Sequence, residues 1–149
     1  DGRITENISF EKDDKTILNR YSDNLDNIRN NIDKQNINFY IDFIINSLFE
    51  ANKYFNDQEP WKKKENQLRL NSIIFTSLEL IRKICFLLYP IIPESTIKAL
   101  KIFNLKENDI KLSSISNNEF LKKGDKINKI DILFKKIEKK NDWFTLSFR

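Results

Sequence analysis

The sequence predicts an all-α fold, and three observations indicate that class. Only two glycines and three prolines occur in 149 residues, so long uninterrupted helices are possible. Apolar residues recur at steps of three and four along several stretches, which is the period of a helix with one buried face. The length suits a single domain that buries about two-thirds of the unfolded chain's surface. We therefore expect a helix bundle with one core.

The first predicted helix follows an extended segment at 1–12. Asp13 or Asp14 is placed to cap it, because a carboxylate there accepts the unpaired backbone N–H groups of the first turn. The apolar positions then recur at steps of four, four, three and four, as one face of a single helix. They are Ile17, Tyr21, Leu25, Ile28 and Ile32.

Three further helices are predicted at 37–55, 65–88 and 93–103. In the second, the stripe expected to face the core includes Ile37, Ile41 and Leu48. In the third, the stripe includes Ile74, Leu78 and Ile81. The fourth follows Tyr89-Pro90 and opens with Pro93, which suits a first helical turn.

The pattern weakens after residue 104. Gly124 predicts a turn, and a last helix is predicted over 131–140, before a tail without assignment. The first residue is not methionine, and we expect the chain to be a fragment of a longer protein.

Composition excludes several functions. With no histidine and one cysteine, the usual zinc sites and nucleophile–base pairs cannot form, and no glycine-rich phosphate loop is present. Cys85 alone cannot form an internal disulfide, and the longest apolar run is too short to cross a bilayer, so we expect a cytoplasmic protein that does not enter a membrane. The net charge of +4 permits an anionic partner without proving one.

One loop places an aromatic ring beside a positive cluster. The stretch NKYFNDQEPWKKK joins the second and third predicted helices, with Pro60 and Trp61 followed by Lys62, Lys63 and Lys64. An indole there either plugs the loop end of the bundle or stacks on a nucleic-acid base while the lysines contact phosphates. Three lysines oppose the dipole at a helix start, so they do not serve to stabilise that helix.

Other polar residues carry weaker predictions. Asn52 either caps the loop backbone or contacts a base edge. The arginines at 20, 29, 69 and 82 are expected on solvated helix faces. Asp42, Glu50 and Glu79 are carboxylates without a convergent partner in the sequence, so no acid–base role is assigned to them.

Several motifs in order resemble the anticodon-binding domain of methionyl-tRNA synthetases, a class I aminoacyl-tRNA synthetase family. Asn52-Lys53-Tyr54 followed by Pro60-Trp61 resembles the family's Asn-x-Tyr…Pro-Trp signature. The run from Leu87 to Pro93 is similar to its Leu-Leu-x-Pro-x-x-Pro ending. Leu121 with Gly124, and then 133–138, resemble its Leu-x-x-Gly turn and closing Leu-Phe-x-x-Ile-Glu. The resemblance covers residues 1–138 and leaves 139–149 as a C-terminal tail.

The resemblance implies a site as well as a fold. In the family the tryptophan of Pro-Trp stacks on an anticodon base, a role that would fall to Trp61, with Pro60 setting the loop and Asn52 as a second candidate. The lysines at 62–64 would neighbour the RNA. The closing helix packs toward a catalytic domain in the family, which would make Phe134 and Ile137 interdomain anchors.

The resemblance also implies partners and missing parts. The partner would be the anticodon loop of tRNA(Met), with no DNA and no membrane involved. ATP with Mg²⁺ and methionine would bind a catalytic domain outside this chain, and no cofactor or metal is expected here. The family's first bundle helix would precede residue 1, so we expect its absence to expose core surface.

Two alternatives remain open from the sequence. One is the corresponding domain of another class I synthetase, for valine, leucine, isoleucine or cysteine, against which the Pro-Trp element argues. The other is a helical protein-interaction module without an RNA role. The second alternative requires a buried Trp61.

Overall fold

Five α-helices make up most of the part of the chain that the structure, a computed structural model, describes, which is residues 2–134. They are α1 (Lys12–Asp23), α2 (Leu25–Asp33), α3 (Ile37–Gln58), α4 (Gln67–Leu88) and α5 (Pro93–Leu100). Short 3₁₀ turns follow α5. Between residues 2 and 134 there is no β-strand, although Arg3 and Lys126 form one isolated antiparallel bridge. The all-α prediction is confirmed over this range.

The prediction of a single first helix is wrong, because the structure has two helices, α1 and α2, over that stretch. It breaks at Asn24, whose side-chain Nδ2 donates to the carbonyl of Arg20 at 2.8 Å. Asparagine side chains that bond to nearby backbone compete with helix continuation, so the chain turns there into α2. The predicted position of the cap is also wrong, because Glu11 is the N-cap of α1 and Asp14 lies in the first turn, where its carboxylate accepts from the backbone N–H of Glu11 at 2.8 Å.

Helices α3 and α4 form the centre of the bundle, but the predicted core stripes are partly wrong. Ile37, Leu48 and Ile81 are exposed, by 52%, 42% and 44%. The side chains that α3 buries are Tyr40, Phe43, Ile44, Ser47 and Tyr54. Both helices are apolar on more than one face, so spacing alone could not decide which face meets the core.

The segment after α5 folds back onto the start of the chain. Gly124 has a φ of +87°, a backbone conformation that favours glycine, and its N–H donates to the carbonyl of Ile4 at 2.8 Å. The backbone N–H of Ile4 in turn donates to Asp125 at 2.8 Å. The predicted turn at Gly124 is thus confirmed, and it joins the returning segment to the extended segment before α1.

Two buried cations fasten that returning segment to α4. The predicted solvation of Arg82 is wrong, because Arg82 is fully buried and its Nε lies 2.6 Å from Glu79 Oε2. It also donates to the backbone carbonyl of Asn117 at 2.8 Å. Lys83 is equally buried and donates to the carbonyls of Ile115 and Asn117. Burial, with the charge of Arg82, lowers the pKa of Lys83 to about 7.

The predicted last helix does not begin at residue 131, because 131–134 adopt no helical conformation. Phe134 is 65% exposed at the end of the described chain. Ile137 and the rest of that predicted helix lie outside the described residues. Within residues 2–134, none of the helices combines the length and the apolar character needed to span a bilayer.

Candidate nucleic-acid interface

The connection between α3 and α4 has a defined conformation. Helix α3 ends at Gln58, and Glu59 follows with a φ of +45°, a left-handed conformation that non-glycine residues adopt at some cost. A single 3₁₀ turn, Pro60–Lys62, comes next, and Pro60 is buried at its start. Asn66 then caps α4 by accepting from the backbone N–H of Arg69 at 3.0 Å. The loop is therefore shaped by residues at both of its ends.

Trp61 lies on this turn and leaves half of its side chain in solvent. It is 50% exposed, and its ring packs against Phe55 of α3 with the centroids 6.2 Å apart and the planes at 59°. The indole therefore packs on the ring of Phe55, and it is not buried in the core. This exposure argues against the protein-interaction alternative, which needs a buried Trp61.

The three lysines after Trp61 are all exposed. Lys62 lies 2.7 Å from Glu59 and is partly neutralised by it. Lys63 and Lys64 have no ion-pair partner among residues 2–134. Two cationic side chains next to the half-exposed ring are therefore available to an anionic ligand.

Asn52 is exposed on α3 and lines a small apolar cavity between α3 and α4. The cavity has a volume of about 250 Å³, and Phe55 lies on its wall as well as against Trp61. The remaining lining residues are Ala51, Ser77, Leu80 and Ile81. Asn52 makes no side-chain hydrogen bond to any other described residue, so the capping interpretation is wrong and its amide is available.

A buried polar network beneath the loop was missed from the sequence. Arg69, expected in solvent, is only 7% exposed, and its Nη1 and Nη2 reach the two carboxylate oxygens of Asp14 at 2.5 and 3.0 Å. Tyr54 donates its hydroxyl to the same carboxylate. Burial acts to raise the pKa of Asp14, but the bonds from Arg69, Tyr54 and the Glu11 amide outweigh it and hold that pKa below 3.8.

A sequence signal for Arg69 did exist. It lies on α4 at helical spacing from Ile73, Thr76 and Leu80, which are all buried. An arginine in register with a buried stripe indicates a buried ion pair, provided that the stripe is chosen correctly. The stripe chosen from the sequence was the neighbouring one, which left Arg69 on the wrong face.

Glu79, one of the three carboxylates considered in the sequence analysis, forms a buried ion pair with Arg82. Among residues 2–134 no group of three or more histidine, cysteine, aspartate or glutamate side chains is arranged to hold a metal ion. The half-exposed ring of Trp61 and the exposed lysines beside it suit binding through stacking and charge.

A helical bundle with a supported, half-exposed tryptophan beside free lysines has the features of a domain that binds single-stranded nucleic acid. The chain belongs to the family described as the anticodon binding domain of methionyl tRNA ligase, whose family model matches residues 5–146.

Relatives agree with that family, and a solved structure has the same fold. Over 120 residues the chain is 32% identical to a methionine–tRNA ligase of Mycobacterium leprae, covering 77% of this chain and 22% of that protein. Over 137 residues it is 27% identical to that of Methanocaldococcus jannaschii, covering 92% and 19%. The free-state methionyl-tRNA synthetase of Mycobacterium tuberculosis has the same fold, with a TM-score of 0.82 at 24% identity over 92% of this chain and 28% of that one.

The chain thus spans about a fifth of the length of the relatives it matches. These relatives are methionine–tRNA ligases, and the matching family model is that of the methionyl enzyme. The comparisons therefore favour the methionyl family over the first alternative.

Proposed function

We propose that this chain is the anticodon-recognising part of a methionyl-tRNA ligase, an enzyme that joins methionine to tRNA(Met) with ATP. The observation that carries the proposal is the half-exposed Trp61, held against Phe55 beside two free lysines. Base–aromatic stacking is worth about 1–3 kcal/mol per base, and it needs one open ring face on a firm support. The loop supplies both.

Each residue of the loop has a separate part in the proposed site. Trp61 stacks on an anticodon base, and Pro60, buried at the start of the turn, sets the direction in which the ring points. Lys63 and Lys64 contact phosphates, with Lys62 joining them when it leaves Glu59. Asn52 offers its amide to a base edge at the mouth of the cavity that Phe55 also lines.

The catalytic steps belong to parts of the ligase other than this chain. Because the chain spans about a fifth of the length of the ligases it resembles, we assign ATP, Mg²⁺ and methionine to a catalytic domain of the same protein, in the cytoplasm. We propose that this domain and the preceding helix cover the exposed apolar side chains of α3 and α4. These include Ile41, Ile45, Leu48, Phe49, Ile74 and Ile81. Phe134 and Ile137 remain proposed interdomain anchors, and 1–138 remains the proposed extent of the domain.

Salt dependence tests the proposed site. We expect the full-length ligase to bind a stem-loop carrying the anticodon CAU more tightly than one with a scrambled loop. Because each phosphate contact on a single strand contributes about 0.7 to the slope of log affinity against log salt, the double variant Lys63→Ala/Lys64→Ala should flatten that slope by about 1.4. The slope is measured by titration at several salt concentrations.

A matched double variant separates local contacts from overall charge. Lys111→Ala/Lys122→Ala removes the same charge from exposed positions after α5 that form no ion pair within residues 2–134, and it should leave the slope close to that of the wild type. Equal flattening by both double variants would contradict a phosphate contact specific to the loop. Equal affinity for CAU and scrambled loops would contradict anticodon recognition itself.

A further inference from the structure

Three helices meet in one hydrogen-bonded network directly beneath the Trp61 loop. Asp14 comes from α1, Tyr54 and Gln58 come from α3, and Arg69 comes from α4. Asp14 is fully buried, and its carboxylate accepts from Arg69, from Tyr54 and from the backbone N–H of Glu11. The charge is thus paired and its oxygens are satisfied, which fixes the carboxylate in one orientation.

Arg69 connects the two ends of the loop. Its Nη2 donates to Gln58 Oε1 at 2.6 Å, and Gln58 is the last residue of α3. Arg69 itself lies in the first turn of α4, where its backbone N–H is held by the cap Asn66. A single guanidinium therefore sets the separation between the residue that precedes the loop and the helix that follows it. The planar fork of arginine suits this double task, whereas lysine presents one point charge.

The network also fixes the ring that supports Trp61. Tyr54 is buried and bound to Asp14, and the next residue along α3 is Phe55, against which the indole packs. Holding Tyr54 prevents the end of α3 from rotating about its axis, so the position of Phe55 is fixed too. The order of contacts runs from Asp14 through Tyr54 and Phe55 to Trp61.

We propose that Asp14 and Arg69 are positioning residues that hold Trp61 in the geometry required for stacking, an inference that rests on the proposed function of the loop. Neither side chain needs to touch RNA, since both are buried under the loop. They contribute to binding by holding the Trp61 ring in one orientation in the free protein, so that this order is not imposed when RNA binds.

A double-mutant cycle in the full-length ligase tests this role. The variants are Arg69→Lys, Trp61→Ala and the two combined, and affinity for a CAU stem-loop is measured at a temperature where circular dichroism shows every variant folded. We expect Arg69→Lys to weaken binding about tenfold, and to cause no further loss once Trp61 is absent, because Arg69 acts through that ring. Arg82→Lys is the control, since it alters another buried arginine of α4 that packs away from the loop against the returning segment.

If Arg69→Lys is not folded, Gln58→Leu replaces it. This change removes the bond from Arg69 to the end of α3 and an exposed bond of 3.2 Å from Gln58 to Asp13, and it leaves the Asp14–Arg69 pair in place. The same non-additivity with Trp61→Ala is expected. Additive losses, or an equal loss in Arg82→Lys, would show that the network stabilises the fold without positioning the ring. If Arg69→Lys binds as tightly as the wild type while Trp61→Ala loses affinity, only the positioning role is overturned. If Trp61→Ala itself keeps the wild-type affinity, the proposed function of the loop is overturned.

Discussion

Replacing Glu79 with alanine is expected to lower the free energy of unfolding of the 149-residue chain by about 3–5 kcal/mol, because it leaves a buried charge without its partner. Glu79 and Arg82 are both fully buried, and Glu79 Oε2 lies 2.6 Å from Arg82 Nε. The other oxygen, Oε1, accepts from the backbone N–H of Leu121 at 2.7 Å. The variant therefore loses both the ion pair and one attachment of the returning segment. Chemical denaturation followed by circular dichroism measures the loss.

An exposed pair provides the control for Glu79. Glu119 lies 2.9 Å from Lys123, and its side chain is 53% exposed. Glu119→Ala should cost about 1 kcal/mol or less, because surface ion pairs contribute little in water. Similar losses for the two variants would contradict the buried character of the Glu79–Arg82 pair.

Replacing Leu87 with alanine is expected to cost about 2–5 kcal/mol, which is the range for removing a fully buried leucine side chain. Leu87 is completely buried on α4. Its backbone carbonyl also accepts from the hydroxyl of Tyr40 on α3, so the neighbouring backbone is held in place and the cavity cannot easily collapse. Denaturant titration of the 149-residue chain gives the change in stability.

The matched control is the same substitution on an exposed position. Leu48, which the sequence pattern placed in the core, is 42% exposed on α3. Leu48→Ala should cost about 1 kcal/mol or less, because a large part of that residue is already in water. A cost for Leu48→Ala that equals the cost for Leu87→Ala would show that the sequence-based stripe, and not the structural one, faces the core.

The sequence was sufficient to predict the elements that its local signals define. Pro90 and Pro93 mark the end of α4 and the start of α5, and the predicted and observed bounds there agree within three residues. The loop with Pro60 and Trp61 was also predicted, because proline and a polar run interrupt two strongly apolar helices. Family motifs in the expected order identified the domain.

The sequence was not sufficient to predict burial where tertiary contacts determine which side chains are buried. Arg69 and Lys83 look solvated in isolation, and only their distant partners in α1 and after α5 explain their burial. The stripes of α3 and α4 were misassigned because Leu48 and Ile81 continue the helical spacing on a face that this chain leaves exposed. In the sequence, such a face cannot be distinguished from a core face. Periodicity shows that a helix face is apolar, but it does not show which part of the protein packs against that face.

The binding affinity of Trp61 variants tests the central claim most directly. Wild type, Trp61→Phe and Trp61→Ala are compared in the full-length ligase, with a CAU stem-loop and a scrambled loop as ligands. Stacking predicts that Trp61→Ala loses about 1–3 kcal/mol of binding to CAU, that Trp61→Phe recovers part of it, and that the melting temperatures stay close to that of the wild type. Unchanged CAU affinity together with a lower melting temperature in Trp61→Ala would contradict the account and show that the indole serves only the fold.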